Sequence, residues 1–451
     1  MKEIYPDNVH LVMGNRDVNK MRIVHEIEGF EGPKPSDKSK PSESKPSDSS
    51  VPLATPHSGV YWFHNRNLIG DPLLSNVPTS RVSRLRWILR STMGCPNSFE
   101  HRQSELSNRG EPSSEEDVVD SYVETCRPGG LMGRYIMESS TIVKLGPCLF
   151  VHGGIPKGPE VTDSKLMGRR ALPPTFEGTV EEPETGDWVD AINNWSEVQK
   201  SHWLNQIGPP VIWSTKGGYE TTPNQGGSLI QYGMGWLLNP PTTSNNKTPP
   251  TVTKNPTCVY ASWLNKGMPC PSTSSSPSVR NMFTDGVEVI ISGHQPHGDA
   301  PLGIKVDGGG VIVTGDTSYS GDTGWVNSEN GGNKGREGTK SGRGVVAVSE
   351  ILLQYTTTNS TSSLKSIITR GVLSDGTSYE CDGLMKDDVV GREAKDEVFG
   401  DDGKVIIDGI EKGRYWIKAK LGEGKYLGCY AKGWEVENKV LKVLDVARRR
   451  Q

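Results

Sequence analysis

Fifty Lys and Arg against 54 Asp and Glu leave 451 residues with a formal net charge of −4. That balance excludes a chain held to nucleic acid by bulk charge, and no run of about 18 apolar residues exists to cross a membrane. At 33% hydrophobic, with 53 Gly and 31 Pro, the chain can build one substantial domain and a small second one, interrupted by long irregular insertions. The opening MKEIYPDNVHLVMGNRD lacks a positive region leading into an apolar one, so no signal peptide is expected. Seven scattered Cys without a CxxC point away from a disulfide framework or a structural zinc site, and towards reduced thiols in the cytosol or nucleus.

In chain order, NVHLVM (8–13) reads as a short buried strand ending at Gly14. The turn GNRD follows, then a helix with Val18, Met21, Ile23/Val24 and Ile27 on one face. Residues 31–58 are Pro, Ser, Lys and Asp with almost no apolar content, and are expected to be a flexible insertion. Residues 80–93 predict a helix with Ser80 as N-cap, Gly94 as stop, and Val82, Leu85, Trp87/Ile88 and Leu89 buried. SSEEDVVDSYVET (113–125) carries a capping signal before a helix, and 131–144 reads as a helix passing into a connection. PCLFVH (147–152) is an apolar strand feeding a Gly pair, and 187–204 is a helix with Trp188, Ile192, Trp195 and Trp203 near one side.

Residues 238–280 form a second region poor in apolar signal, expected as an insertion. VEVIIS (287–292) and VIVT (311–314) are strands running into GHQPHG and GDTSYSGDTG. A Gly-rich insertion (321–344) precedes the strand VVAVSEILL. From about 365 to 443, apolar and polar residues alternate between Asp-Gly turns, which predicts a small β-rich C-terminal domain following a main domain over 1–350. The overall order is strand, polar loop, helix, several times over, the pattern of α/β proteins that place sites at the carboxyl ends of strands.

Three of these loops carry chemistry. In Gly14-Asn15-Arg16-Asp17 the glycine permits a sharp exit from a strand, and Asn15 offers a neutral oxygen suited to a hard metal. Asp17 can brace the turn or a cation, and a plain capped strand-to-helix turn is the other reading. In Val151-His152-Gly153-Gly154 the glycines leave room around the imidazole for a metal or phosphate, and a core or turn histidine is the other reading. Gly293-His294-Gln295-Pro296-His297-Gly298-Asp299 concentrates two of the nine His in one loop stiffened by Pro296, and imidazole suits Zn, Fe, Mn and Ni.

Taken in order, GNRD, VHGG and GHQPH resemble three consecutive motifs of the calcineurin-like metallophosphoesterases, over roughly residues 8–320. The resemblance implies a four-layer αββα sandwich with a dinuclear centre of two divalent metal ions (Mn, Fe or Zn) at the strand ends. It implies that Asn15, His152 and His294 bind the second metal. His297 would match a further histidine that binds the first metal, although the spacing here is His-x-x-His rather than His-x-His. Arg16 stands where that family has a histidine near the leaving group. An arginine cannot give up a proton near neutral pH, but it can clamp a phosphate oxygen and stabilise developing charge; a salt bridge to Asp17 is the other reading.

The family's opening motifs, Asp-x-His and Gly-Asp-x-x-Asp-x-Gly, are absent, and with them the carboxylate that bridges two cations ~3.5–4 Å apart. The expectation is therefore a chain shortened at its N-terminus that supplies mainly the second-metal ligands. GDTSYSGDTG does not replace the missing motif in order or spacing. It reads as a turn near the site, with support of the ligands by Asp316 or Asp322 as the alternative.

The function expected is hydrolysis of a phosphoester by a metal-activated water, with Asn15, His152, His294 and His297 as ligands and Arg16 and Asp17 as catalytic residues. The partners expected are the phosphoester substrate and, through the C-terminal β region, a protein; neither membrane nor nucleic acid is indicated. The Trp-rich helix is expected to pack as a core or capping element. A catalytically incomplete interaction module on the same fold is the competing expectation.

Overall fold

The computed structural model describes residues 1–28, 80–93, 95, 97–156, 185–205, 227–239, 251–254, 257–265, 268–270, 274–298, 300–317, 348–358, 361–373, 376–394, 398–400, 414–432 and 435–443. The expected insertions 31–58 and 321–344, together with Gly94, Asp299 and Asp322, lie outside the described residues. The chain is a mixed α/β protein of two compact units. The described residues of Met1–Ser139 and Asn194–Asn255 form the first; those of Ser140–Leu172, Gly178–Asn193 and Pro256–Gln451 form the second. No helix among the described residues is long and apolar enough to cross a membrane.

The first unit is mainly helical. Residues 8–13 form no strand; Val12 makes a single bridge and Met13 alone of the run is buried. The run is too short and too exposed at Asn8 and His10 to fill a sheet position. The helix expected after Gly14 is two helices, Asn15–Lys20 and Ile23–Glu28. Gly233 in the helix Gly227–Met234 lets that helix meet Val18 closely; a Cβ there would lie 2.7 Å from the valine side chain.

Ser80 caps the helix Arg81–Trp87, which continues as a π-turn over Ile88–Thr92. Its Leu85, Trp87, Ile88 and Leu89 share one core with Val118, Val119 and Val123 of the helix Glu115–Cys126, where Ser114 is the cap. The helix Ser98–Asn108 has no counterpart in the sequence reading, because Phe99 and Leu106 are its sole buried side chains and leave little periodic signal. Lys200, fully buried, donates to the carbonyls of Met137 (3.0 Å) and Ser139 (2.8 Å), closing the end of the helix Leu131–Glu138.

The second unit is organised around a five-stranded sheet in the order β1-β2-β7-β9-β8. These strands are β1 (Ile142–Leu145), β2 (Cys148–Val151), β7 (Val289–Ser292), β8 (Leu302–Lys305) and β9 (Val311–Thr314); of the strands between β2 and β7 in the chain, β3 (Trp236–Asn239) pairs with β4 (Thr251–Lys254) and β5 (Leu264–Asn265) with β6 (Met268–Pro269). The strands β2, β7 and β9 are mutually parallel, while β1 and β8 flank them antiparallel. The helix expected over 131–144, passing into a connection, is Leu131–Glu138, and the connection holds a strand, Ile142–Leu145, which pairs with Cys148–Val151 through a two-residue turn at Gly146 (φ 55°). The central strands are nearly continuous apolar runs, as parallel strands covered on both faces require.

The C-terminal strands do not form a separate body. Strands β10 (Val348–Thr358), β11 (Thr361–Val372) and β12 (Ser378–Cys381) make one antiparallel sheet, so a boundary between 350 and 365 falls inside the β10–β11 hairpin. A second sheet runs β13-β16-β15-β14, from Val398–Gly400, Glu435–Val443, Lys425–Lys432 and Arg414–Gly422. One hydrophobic cluster joins Cys148, Val289 and Val313 of the central sheet to Leu364, Ile367, Tyr379, Ile417 and Leu427. The alternation over 365–443 is real, but its apolar face packs on the parallel sheet rather than on a core of its own.

Candidate functional site

The site is built where β2, β7 and β9 end side by side. Each of these parallel strands delivers a polar loop at its carboxyl end: His152 after β2, Gly293-His294 after β7, Gly315-Asp316 after β9. The loops are tied to one another through the backbone. The Gly293 N–H donates to His152 O (2.9 Å) and the Gly315 N–H to Ser292 O (2.7 Å), which carries the parallel ladder one residue past the strands. An imagined Cβ on Gly293 lies 3.8 Å from His152 Nδ1 and 3.9 Å from Asp316 Cβ, so the glycine marks the point where all three loops converge.

His294 has φ 73°, the one positive φ of a non-glycine among the described residues. The Gln295 N–H bonds back to Gly293 O at 2.9 Å. An i to i+2 bond around a central residue at φ near +75° is the strained form of the γ-turn. Holding a histidine there costs about 1–3 kcal/mol, and such strain persists where the surroundings over-determine it. Here the surroundings are two rings. The His294 imidazole meets that of His152 edge-on, with centroids 5.4 Å apart and planes at 74°. The Tyr260 ring also meets it, tilted at 55° with centroids 5.0 Å apart.

Tyr260 comes from the region expected to be an insertion over 238–280. Residues 257–265 are instead core, with Cys258, Val259, Ala261 and Trp263 buried. They clasp the histidine loops in three places. The N–H groups of Gly153 and Gly154 donate to Cys258 O and Ala261 O, both at 2.7 Å. The Ser262 hydroxyl donates to Gln295 Oε1 (2.5 Å), and the Trp263 indole N–H to Ser292 Oγ (2.8 Å). The approach is close enough that a Cβ on Gly153 would stand 2.8 Å from two backbone oxygens. The first glycine of VHGG thus makes room for protein backbone.

His297 lies in the same loop but is fully buried. Its carbonyl, with that of Ala300 (2.8 Å), accepts from the buried ammonium of Lys418 on β14. The backbone at His297 and Ala300 is therefore tied to the C-terminal sheet, while His294 is half-buried.

Asn15, Arg16 and Asp17 belong to the first unit and sit together in the first turn of Asn15–Lys20. Asp17 accepts from the Gly14 N–H (3.0 Å) and pairs with Lys20 (3.2 Å), so its carboxylate closes the helix start. Arg16 is exposed and Asn15 half-buried. The structure thus brings together His152 and His294, and separately Asn15, Arg16 and Asp17. Among the described residues no three His, Cys, Asp or Glu stand close enough to hold a metal ion. Asp316, Tyr260, Gln295 and Ser262 complete the surroundings of the two imidazoles. Asp316 was visible as a strand-end residue; Tyr260 and Ser262 carry no local signal, because their role comes from a chain segment folding back.

Comparison with family models, with curated proteins and with solved structures gives no match to this chain.

Proposed function

We propose that the strand-end loops form one half of a metal-dependent phosphoesterase centre, with His152 and His294 as ligands of a divalent cation. The observation that carries this reading is the strained γ-turn that holds His294 edge-on to His152 beside Gly293. The donor chemistry suits such a cation: two imidazoles 5.4 Å apart with a carboxylate, Asp316, in the next loop. A divalent cation there supplies Lewis acidity towards a phosphoryl oxygen and lowers the pKa of water.

The chain's own residues do the rest. His152 and His294 offer ring nitrogens from neighbouring strands. Asp316 lies beside the shared glycine and can orient a ring by accepting its second N–H. Tyr260 covers one side of His294 and limits water there. Asn15 as an oxygen ligand and Arg16 as a phosphate clamp are what the sequence resemblance implies; both belong to the first unit, and the Arg16 guanidinium is exposed there. The finer fold, a four-layer αββα sandwich, has as support the stacking of sheet on sheet through one hydrophobic cluster, to which the central sheet gives Cys148 and Val313, the β10–β12 sheet Leu364 and the β13–β16 sheet Ile417. The test is hydrolysis of p-nitrophenyl phosphate by the full chain with Mn2+, Zn2+ or Fe2+, and its loss in His152→Ala and His294→Ala. Unchanged turnover in both variants overturns the assignment.

A second reading is a non-catalytic binding module. It is favoured by one observation, the lack of a three-residue ligand group among the described residues. Metal binding without turnover of any phosphoester would select it.

A further inference from the structure

At the opposite ends of the same strands lies a cavity of about 1020 Å3. It opens where β7 and β9 begin, beside the turn Val306–Gly310 that joins β8 to β9. One strand length, roughly 10–13 Å, separates it from the histidine loops. Its wall is half apolar, with Phe283, Val287, Leu384 and Met385, and half cationic, with Arg280, Lys305 and Arg392.

The cations are unequally satisfied. Arg392 pairs with Asp307 at 3.3 Å, across an exposed surface. Lys305 donates to the carbonyl of Asp387, and burial followed by the charge of Arg392 holds its ammonium below the ordinary pKa. Arg280 is exposed on the helix Pro277–Thr284, with no carboxylate partner among the described residues. Of the two acids in the wall, Asp307 is taken by Arg392, and Glu288 accepts the Leu364 N–H at 3.1 Å. The three cations of the wall outnumber its two carboxylates, Asp307 and Glu288, while Asp388 and Asp387 lie close enough to Lys305 to favour its charge.

The turn shapes the floor. Gly308, Gly309 and Gly310 have φ of 96°, 115° and 85°, and a Cβ on Gly310 would fall 2.3 Å from the Phe283 ring. Three side-chain-free residues in a row keep this side of the cavity open and bring backbone within reach of a ligand.

We infer that this cavity binds a small organic anion, a single acidic group on an apolar body, through Arg280 and Lys305 at one end and Phe283, Val287 and Leu384 at the other. A cavity of this size, part apolar and with a few convergent charges, matches small-molecule sites in general. A lysine held below its ordinary pKa regains a favourable charge balance when an anion arrives. The inference stands independently of the phosphoesterase reading, since it uses neither histidine loop.

The test is a fluorescence titration of the full chain with 1-anilinonaphthalene-8-sulfonate at fixed ionic strength, repeated by calorimetry. Arg280→Ala should weaken binding about tenfold and Arg280→Lys should retain most of it. Thr284→Trp, which fills the mouth from the same helix, should abolish it. Arg370→Ala, which breaks a surface ion pair on β11, should leave it unchanged. Circular dichroism checks that each variant is folded. Failure of the unaltered chain to bind at millimolar probe overturns the inference. So does equal affinity across the Arg280 variants, or retained binding in folded Thr284→Trp.

Discussion

Replacing His294 by glycine should leave a more stable protein than replacing it by alanine. Both substitutions delete the ring and its contacts with His152 and Tyr260, so the difference between them isolates the backbone. At φ 73° a Cβ-bearing residue carries the left-handed penalty, about 1–2 kcal/mol, and glycine does not. Against this, glycine loses more backbone freedom on folding, about 0.5–1 kcal/mol. The net expectation is His294→Gly above His294→Ala by about 0.5–1 kcal/mol. Relative to the unaltered chain, alanine should cost about 1–3 kcal/mol, from two ring contacts worth about 0.5–1.5 kcal/mol each. Urea unfolding followed by tryptophan fluorescence reads both differences, with Trp263 reporting directly through its bond to Ser292. Equal stability of the two variants, or a more stable alanine, would show that residue 294 is not held in the left-handed region. The strained turn would then be lost as an argument for function.

Other substitutions test the same framework. Gly153→Ala should destabilise by about 2–4 kcal/mol, because its Cβ meets two backbone oxygens at 2.8 Å and threatens the bonds to Cys258 and Ala261. Gly186→Ala, in open space on the helix Thr185–Leu204, should be neutral or stabilising in the same melts. Lys418→Met leaves the carbonyls of His297 and Ala300 without their buried donor and should cost about 2–5 kcal/mol, with a fall in metal affinity as the loop loosens. Burial pushes the Cys126 thiol up to about 12, above its unfolded value, so the folded state keeps the proton while the unfolded chain loses it. Stability from this group is full below pH 9 and declines between pH 9 and 12, at up to about 1.4 kcal/mol per pH unit. Urea midpoints at pH 8 and 10 should differ less in Cys126→Ala than in the unaltered chain.

The sequence revealed the site where a strand is a continuous apolar run. CLFV, VIIS and VIVT each announce a buried parallel strand, and the polar residues directly after them are the ones that converge. It concealed β1 and β8, because Ile142–Leu145 and Leu302–Lys305 mix apolar residues with Lys or Gly and are strands only by pairing with a neighbour. Residues 257–265 were invisible for a related reason: Ser, Thr and Pro dominate the flanks, and burial of Trp263 depends on Ser292, 29 positions along the chain. NVHLVM misled in the other direction: among the described residues the run extends no ladder beyond the single bridge at Val12, and only Met13 is buried. The hairpin alternation after 365 was legible, but not its burial against Val289 and Val313, which is a property of the whole unit. His297 is buried, and its backbone carbonyl accepts from Lys418, 121 residues away, a packing that the loop's composition does not announce.

The pairing of His152 with His294 as a cation site is tested most directly by a Mn2+ titration of the full chain, read as loss of the free-ion electron paramagnetic resonance signal. The expected result is a site of micromolar affinity that is lost in His152→Ala and in His294→Ala, while the exposed control Arg370→Ala binds as before. Equal Mn2+ uptake by the unaltered chain and both histidine variants would contradict it.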